Sequence, residues 1–293
     1  MYADDVKIYR EVRTDADAVL LYDDLTRLVE WSSSWRLKLN ASKCKSFTIT
    51  LKRSPIISPY RIGGVTLDRV TTMRDLGVTL DQKLTFERHV DSIVAAGNRA
   101  LGLLIRSLQA GARIRYDTGA ITSAYFANVR SVLENCSVVW GGAARTHTDR
   151  IERIQHKFLI WLTVNSVTNS DSLSYENLLS AHSFTSLAAR RVQHDLVYVA
   201  RLFKHKIDSS SLRSHFGLAV PPRSVRRRDL LAVPFARVET IKNGLYCRVP
   251  RLANEFLREN NQLDLFTDSL ATVRKTAKSY AAQLSSRAFP TDQ

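Results

Sequence analysis

Met1-Tyr2-Ala3-Asp4-Asp5-Val6-Lys7-Ile8-Tyr9 opens the chain, and its two adjacent carboxylates pose the question that the remaining residues answer. Tyr2, Val6 and Ile8 alternate with other residues as one face of a strand, which leaves Asp4 and Asp5 at a turn. Adjacent acids repel, so the pair is either plainly solvated or gathered round a cation. Mg²⁺ is typically held by one or two protein carboxylates together with substrate phosphates, and two-metal phosphoryl-transfer sites are built from such acids. Taken alone, the pair leaves both readings open.

Outward from this stretch the pattern turns helical. From Asp15 to about Trp35, Ala18, Leu21, Leu25, Leu28 and Trp35 recur at three- and four-residue steps, and Asp15 and Asp17 sit at the positive end of the helix dipole. A polar turn follows at Asn40-Ala41-Ser42-Lys43-Cys44. Phe47, Ile49 and Leu51 alternate as a strand, and Pro55 and Pro59 mark a loop. Tyr60-Arg61-Ile62 and Val65-Thr66-Leu67 flank Gly63-Gly64 as a hairpin, and Leu76 to Leu80 reads as another short strand. Strand, helix, then several antiparallel strands make an α+β unit.

Beyond Asp81 the strand patterns stop. Phe86, Val90, Ile93, Gly97, Leu101, Leu104 and Leu108 form a long stripe of helical period. Ile121, Tyr125, Val129, Val132 and Cys136 form a second, and Ile151, Ile154, Phe158 and Leu162 a third. All three read as the core of a helical bundle. The polar face of the third carries Arg150, Arg153, His156 and Lys157, either as a solvated face or as one that meets phosphates. Residues 164–174 are polar and read as a linker. Two further helices are predicted, one from Thr185 to Ile207 and one from about Asp268 to Arg287, with a turn at Asn243-Gly244. Between them Pro221-Pro222 precedes Arg223, Arg226, Arg227 and Arg228, the densest basic run in the chain. A solvated loop is one reading of that run; contact with a nucleic-acid backbone is the one favoured here.

Charge supplies the reason. Among 293 residues, 43 Lys and Arg face 28 Asp and Glu, a net +15, with a pI near 10.0. A polyanion is the natural partner, nucleic acid before an anionic membrane surface. At 44% hydrophobic there is material for a real core. No apolar run approaches the roughly 18 residues of a membrane span, and no secretory signal is visible. Cys44, Cys136 and Cys247 are odd in number and far apart, which argues against a disulfide framework or a zinc site. They suit a reducing compartment, so an intracellular protein, nuclear or cytoplasmic, is expected.

Several ordered motifs now give the opening acids a context. Tyr2-Ala3-Asp4-Asp5 resembles the catalytic hairpin of reverse transcriptases of non-LTR (LINE-like, jockey-type) retrotransposons. Trp31, Trp35 and Leu37 to Cys44 resemble the palm helix of that family and its Asn-x-x-Lys-Cys turn. Met73-Arg74-Asp75-Leu76-Gly77-Val78 looks like the primer-grip hairpin, and Leu84 to Val90 the start of the thumb. Val132 to Gly141 and Ile151 to Phe158 are similar to a signature that follows the polymerase core. Residues 171–293 show no acidic strand–helix pattern of an RNase H domain.

The resemblance implies a partial polymerase palm over 1–80, a helical thumb over 81–165 and a basic helical region over 166–293. It implies RNA-templated DNA synthesis, in which a primer hydroxyl attacks the α-phosphate of a deoxynucleotide and two Mg²⁺ ions stabilise the attacking and leaving oxygens. Asp4 then matches the metal ligand of the hairpin and Asp5 its less direct neighbour. Tyr2, Lys43, Arg74, Leu76 and Gly77 would lie near primer or nucleotide. Arg150, Arg153, Lys157, Arg223, Arg226, Arg227 and Arg228 would track the backbone of an RNA template paired to a DNA primer. The family's other palm carboxylate lies upstream of the hairpin, so Met1 reads as an internal methionine at the head of a truncated frame. The expectation is a polypeptide that does not polymerise by itself; the alternative is a noncatalytic nucleic-acid-binding helical protein derived from such an enzyme.

Overall fold

A computed structural model describes residues 6–110, 117–165, 174–220 and 229–288. They are α+β: short strands in the first part, helices throughout the second. The chain divides into two compact units, Met1–Leu84 and Thr85–Gln293.

In the first unit, residues 6–12 carry no strand, contrary to the alternation of Val6 and Ile8. Among the described residues no ladder partner pairs with them, and side chains anchor them instead. Lys7 bonds to the Asp75 carboxylate, and Arg10 Nη2 donates to Asp24 Oδ2 at 2.7 Å. Helix α1 (Asp15–Ser34) begins at a capping box, in which the Thr14 hydroxyl accepts from the Asp17 amide and the Asp17 carboxylate accepts from the Thr14 amide. It ends in a Schellman motif with Arg36 at φ +56°. The Arg36 amide donates to Ser33 O and the Leu37 amide to Ser32 O. This ending carries Trp35 off the helix face, so it lies 68% exposed rather than on the apolar stripe.

Six short strands follow: β1 (Lys45–Phe47), β2 (Arg61–Ile62), β3 (Val65–Thr66), β4 (Asp68–Val70), β5 (Thr72–Asp75) and β6 (Val78–Asp81). They pair two by two. Strands β2 and β3 make the antiparallel hairpin expected at Gly63-Gly64, with φ +55° and +82° at its two loop residues. Strand β1 is shorter than the run from Phe47 to Leu51, and it pairs parallel to β4. The antiparallel expectation is corrected there: the long connection through the β2–β3 hairpin leaves room for a parallel crossover. Buried apolar side chains among the described residues of this unit are Ala18, Ile62 and Val78, whereas Trp31, Leu37, Ile49 and Leu51 are exposed.

The second unit is helical. It comprises α2 (Glu87–Ala110), α3 (Thr118–Tyr125), a π-helical turn (Phe126–Arg130), α4 (Ser131–Glu134), α5 (Ser137–Trp140) and α6 (Arg145–Asn165). These lead to α7 (Tyr175–Ala181), α8 (Leu187–Phe203), α9 (Ser210–Ser214), α10 (Glu239–Lys242), α11 (Leu245–Glu259) and α12 (Leu270–Ala288). Helix α2 packs on α6, with Val90, Ile93 and Leu101 turned inward. The four residues of the third stripe, Ile151, Ile154, Phe158 and Leu162, are all buried. On the second stripe Ile121, Tyr125 and Val129 are buried, but Leu133 rather than Val132 continues the inward face. The wider π turn keeps the inward positions at four-residue steps. The chain then leaves the helix, and Cys136 adopts φ +53° and is exposed. A second core joins α8, α11 and α12 through Leu196, Val199, Val249, Phe256, Val273 and Tyr280. Among the described residues no helix is long and apolar enough to cross a membrane.

Candidate nucleic-acid interface

Tyr2, Asp4 and Asp5 lie outside the described residues, as do Arg223, Arg226, Arg227 and Arg228. The remaining expected site residues fall into three places, two in the first unit and one in the second. Lys43 is exposed on the turn between α1 and β1, where its amide donates to Asn40 O at 3.0 Å. Arg74, Leu76 and Gly77 share the β5–β6 hairpin. Asp75 pairs with Val78, so Leu76-Gly77 is a two-residue loop and not the start of a strand. Both loop residues have positive φ, +44° and +89°, the geometry of a type I′ turn. Glycine adopts it freely; leucine does so at a cost of about 1 kcal/mol. The hairpin thus holds a bulky apolar residue at its tip in a conformation leucine disfavours, with 55% of Leu76 exposed. Leu76→Asn is expected to stabilise the β5–β6 pairing by about 1 kcal/mol, since Asn tolerates this region. Slower amide exchange in β5 and β6 is the readout, and unchanged or faster exchange would contradict the turn geometry.

The third place is α6. Arg153 and Lys157, four residues apart on one face, are exposed. Arg150 is half-buried and its Nη1 donates to Asp91 on α2 at 2.5 Å. The ion pair is open to solvent on both sides, so it holds the two helices weakly and leaves the guanidinium near the surface. His156 packs against the Tyr175 ring, 5.2 Å between centroids. The expected basic face therefore splits: two cations project outward and one ties α6 to α2.

Beneath this face lies a polar scaffold that periodicity assigns to the solvent side. Glu152 Oε2 accepts from the Tyr175 hydroxyl at 2.6 Å and from the Leu187 amide at 3.1 Å, and Oε1 accepts from the Ala188 amide. A carboxylate thus caps the first turn of α8, where the amides lack intrahelical acceptors and the dipole is positive. Gln155, fully buried, donates to the Tyr175 hydroxyl at 2.9 Å and to Thr185 O at 3.0 Å. Tyr125, stacked on Phe158 with ring centroids 4.0 Å apart, donates to the other end of the same amide. Burial pushes the Tyr125 and Tyr175 phenols far above their ordinary range, so both stay protonated donors.

Asp195 on α8 receives Arg248 Nε at 2.9 Å and Nη2 at 3.1 Å. The remaining Arg248 donors reach Val138 O at 2.8 Å and Asn243 O at 2.9 Å. One guanidinium therefore links α5, α8, the end of α10 and α11. Its five donors suit this fixed fork geometry. On the other side of α8, Arg190 pairs with Glu134 of α4. His194, whose imidazole burial holds neutral by lowering its pKa, meets the Ser137 hydroxyl at 3.0 Å. The Glu152, Gln155 and Tyr175 contacts fix the orientation of α6 and its outward cations.

Sequence comparison finds relatives among the polymerases of mobile elements. The chain is 28% identical over 172 residues to the probable RNA-directed DNA polymerase from transposon BS of Drosophila melanogaster, covering 55% of this chain and 18% of the relative. It is 27% identical over 229 residues to the corresponding probable polymerase of the X-element from the same organism, covering 78% and 24%. To the RNA-directed DNA polymerase of mobile element jockey from Drosophila funebris it is 30% identical over 161 residues, 54% and 17%. The similarity is to jockey-type retrotransposon polymerases. The chain spans between 17% and 24% of the length of these relatives. No family model matches it, and no solved structure matches it.

Polymerases of this kind are expected to use a divalent cation. Among the described residues no group of three or more His, Cys, Asp or Glu side chains is placed to hold one. Asp4 and Asp5, the expected ligands, lie outside those residues.

Proposed function

We propose that the chain is the stretch of a retrotransposon RNA-directed DNA polymerase running from its catalytic hairpin through palm, thumb and a basic C-terminal region, with boundaries near residues 80 and 165. The observation that carries this reading is the similarity to the X-element polymerase across 229 residues, which reaches well past the opening motif. The tight β5–β6 hairpin, with Leu76 held at its tip, supports a primer-grip role for residues 73–78. The net charge of +15 supports binding of a primer–template duplex through its phosphates, without reading of sequence.

In this reading Asp4 is the metal ligand and Asp5 its neighbour. Tyr2 packs beside the primer end, Lys43 faces nucleotide phosphates, and Arg153, Lys157 and the run from Arg223 to Arg228 follow the backbone. Two-metal transfer needs acidic ligands held rigidly around both ions. Asp4 and Asp5 are one adjacent pair, which by itself does not hold two ions in that geometry. Residues 1–293 alone are therefore expected to bind an RNA–DNA primer–template and to leave the primer unextended with Mg²⁺ and deoxynucleotides. Extension that disappears in Asp4→Ala would overturn the inactivity. Absence of binding at low salt would overturn the nucleic-acid reading itself. Binding without extension also fits the second reading, a noncatalytic nucleic-acid-binding protein of the same descent.

A further inference from the structure

Where α5, α6, α8 and α11 meet, the second unit holds a cleft of about 520 Å³ that the polymerase reading does not use. Four guanidiniums line it, Arg145, Arg191, Arg248 and Arg251, against two carboxylates, Asp195 and Glu255. Arg248 neutralises Asp195 through the paired contacts described above. With four guanidiniums against two carboxylates, the lining is net positive.

Arg191 is the unusual member. It is only 9% exposed, and its sole ion-pair partner among the described residues is Glu152 Oε1 at 3.8 Å, beyond hydrogen-bond range. Glu152 is already engaged by the Tyr175 hydroxyl and two α8 amides. One flank of the Arg191 guanidinium lies 5.9 Å from the Trp140 ring centroid. Its donors otherwise make no hydrogen bond within the described residues, and burial lowers its pKa. A guanidinium this enclosed, with its donors on the cleft it lines and no hydrogen-bonded acceptor of the protein's own, suits an anion there. The cleft also opens at the start of α6, a 21-residue helix whose dipole favours negative charge there.

We propose that this cleft binds a phosphate group, with Arg191 as its buried donor and Arg145 and Arg251 at its rim. A pair of phosphate oxygens, present in free phosphate and in a phosphodiester alike, gives Arg191 hydrogen-bond acceptors in the fork geometry guanidinium prefers. The phosphate is either free or esterified in nucleic acid; the chemistry is shared, and the two sources separate experimentally.

The test is calorimetric titration of residues 1–293 with inorganic phosphate, beside Arg191→Lys and an Arg145→Ala/Arg251→Ala double variant. Saturable uptake is expected, weakened about tenfold or more in both variants, since each removes charge-assisted bonds. Lys275→Ala/Lys278→Ala, exposed on α12, should leave it unchanged. If Arg191→Lys loses its helical circular dichroism, the rim double variant decides alone. In a second arm, inorganic phosphate competes with a short single-stranded oligonucleotide. Competition assigns the cleft to a nucleic-acid phosphate, and its absence with retained uptake assigns it to free phosphate. No saturable uptake at millimolar phosphate, or equal uptake in wild type and both variants, overturns the proposal. Phosphate uptake by a chain that binds no primer–template would sink the polymerase reading and leave the cleft standing.

Discussion

Glu152→Ala is expected to lower the stability of the helical unit by about 3 kcal/mol. The substitution strips the acceptor from the Tyr175 hydroxyl and from the Leu187 and Ala188 amides in one step. It also removes the nearest counter-charge of a buried arginine, Arg191. Leu187 is buried and Tyr175 and Ala188 are half-buried, so water replaces the lost acceptor only in part. Glu152→Gln keeps one acceptor oxygen and should lose clearly less. Amide exchange in the first turn of α8 reports the effect directly, with chemical denaturation giving its size. An alanine variant within about 0.5 kcal/mol of wild type would mean that the capping carboxylate is replaceable by solvent.

Gly142→Ala is the second large effect. A Cβ at this position would lie 1.8 Å from Asn243 O and 2.7 Å from Arg248 Nη1. Gly142 needs no unusual dihedral; it is the space that excludes a side chain. Relief requires the backbone before α6 to retreat from the end of α10, which would pull on the Arg248 bonds to Asn243 O and Val138 O. A loss of about 3 kcal/mol or more is expected, the upper end of overpacking costs. Gly102→Ala serves as the opposite control. Nothing lies within 4 Å of a Cβ there, and the residue is interior to α2. That change should stabilise by about 0.5–1 kcal/mol. Thermal melts of the two variants should therefore move in opposite directions, and a Gly142→Ala melt at the wild-type temperature would refute the close approach.

Much of the fold was legible because apolar spacing is a local property. Ile151, Ile154, Phe158 and Leu162 announce the inner face of α6, and Gly63-Gly64 announces its hairpin, from neighbours a few residues apart. Legibility failed where distant or unusual geometry decides. Leu76 sits at φ +44°, a conformation leucine disfavours, so its side chain reads as strand although the backbone turns there. The parallel pairing of β1 with β4 leaves no trace in a period of two, which is the same for either strand direction. Glu152, Gln155 and Asp195 are hydrophilic letters beside apolar ones, and periodicity sorts them outward. Their partners lie far along the chain, Thr185 30 residues from Gln155 and Arg248 53 from Asp195. No spacing rule connects such pairs. Of the candidate interface, the exposure of Arg153 and Lys157 followed from the α6 stripe, whereas the Asp91 partner of Arg150 did not. The family resemblance, carried by motifs from Tyr2 to Phe158, is met by relatives that are RNA-directed DNA polymerases of mobile elements.

Binding of an RNA–DNA primer–template to residues 1–293 as salt is raised tests most directly whether this chain holds nucleic acid by its backbone. The logarithm of affinity should fall linearly with the logarithm of salt, by about 0.7–0.9 for each phosphate neutralised, and equally for unrelated sequences of one length. Affinity indifferent to salt, or binding confined to one sequence, would contradict it.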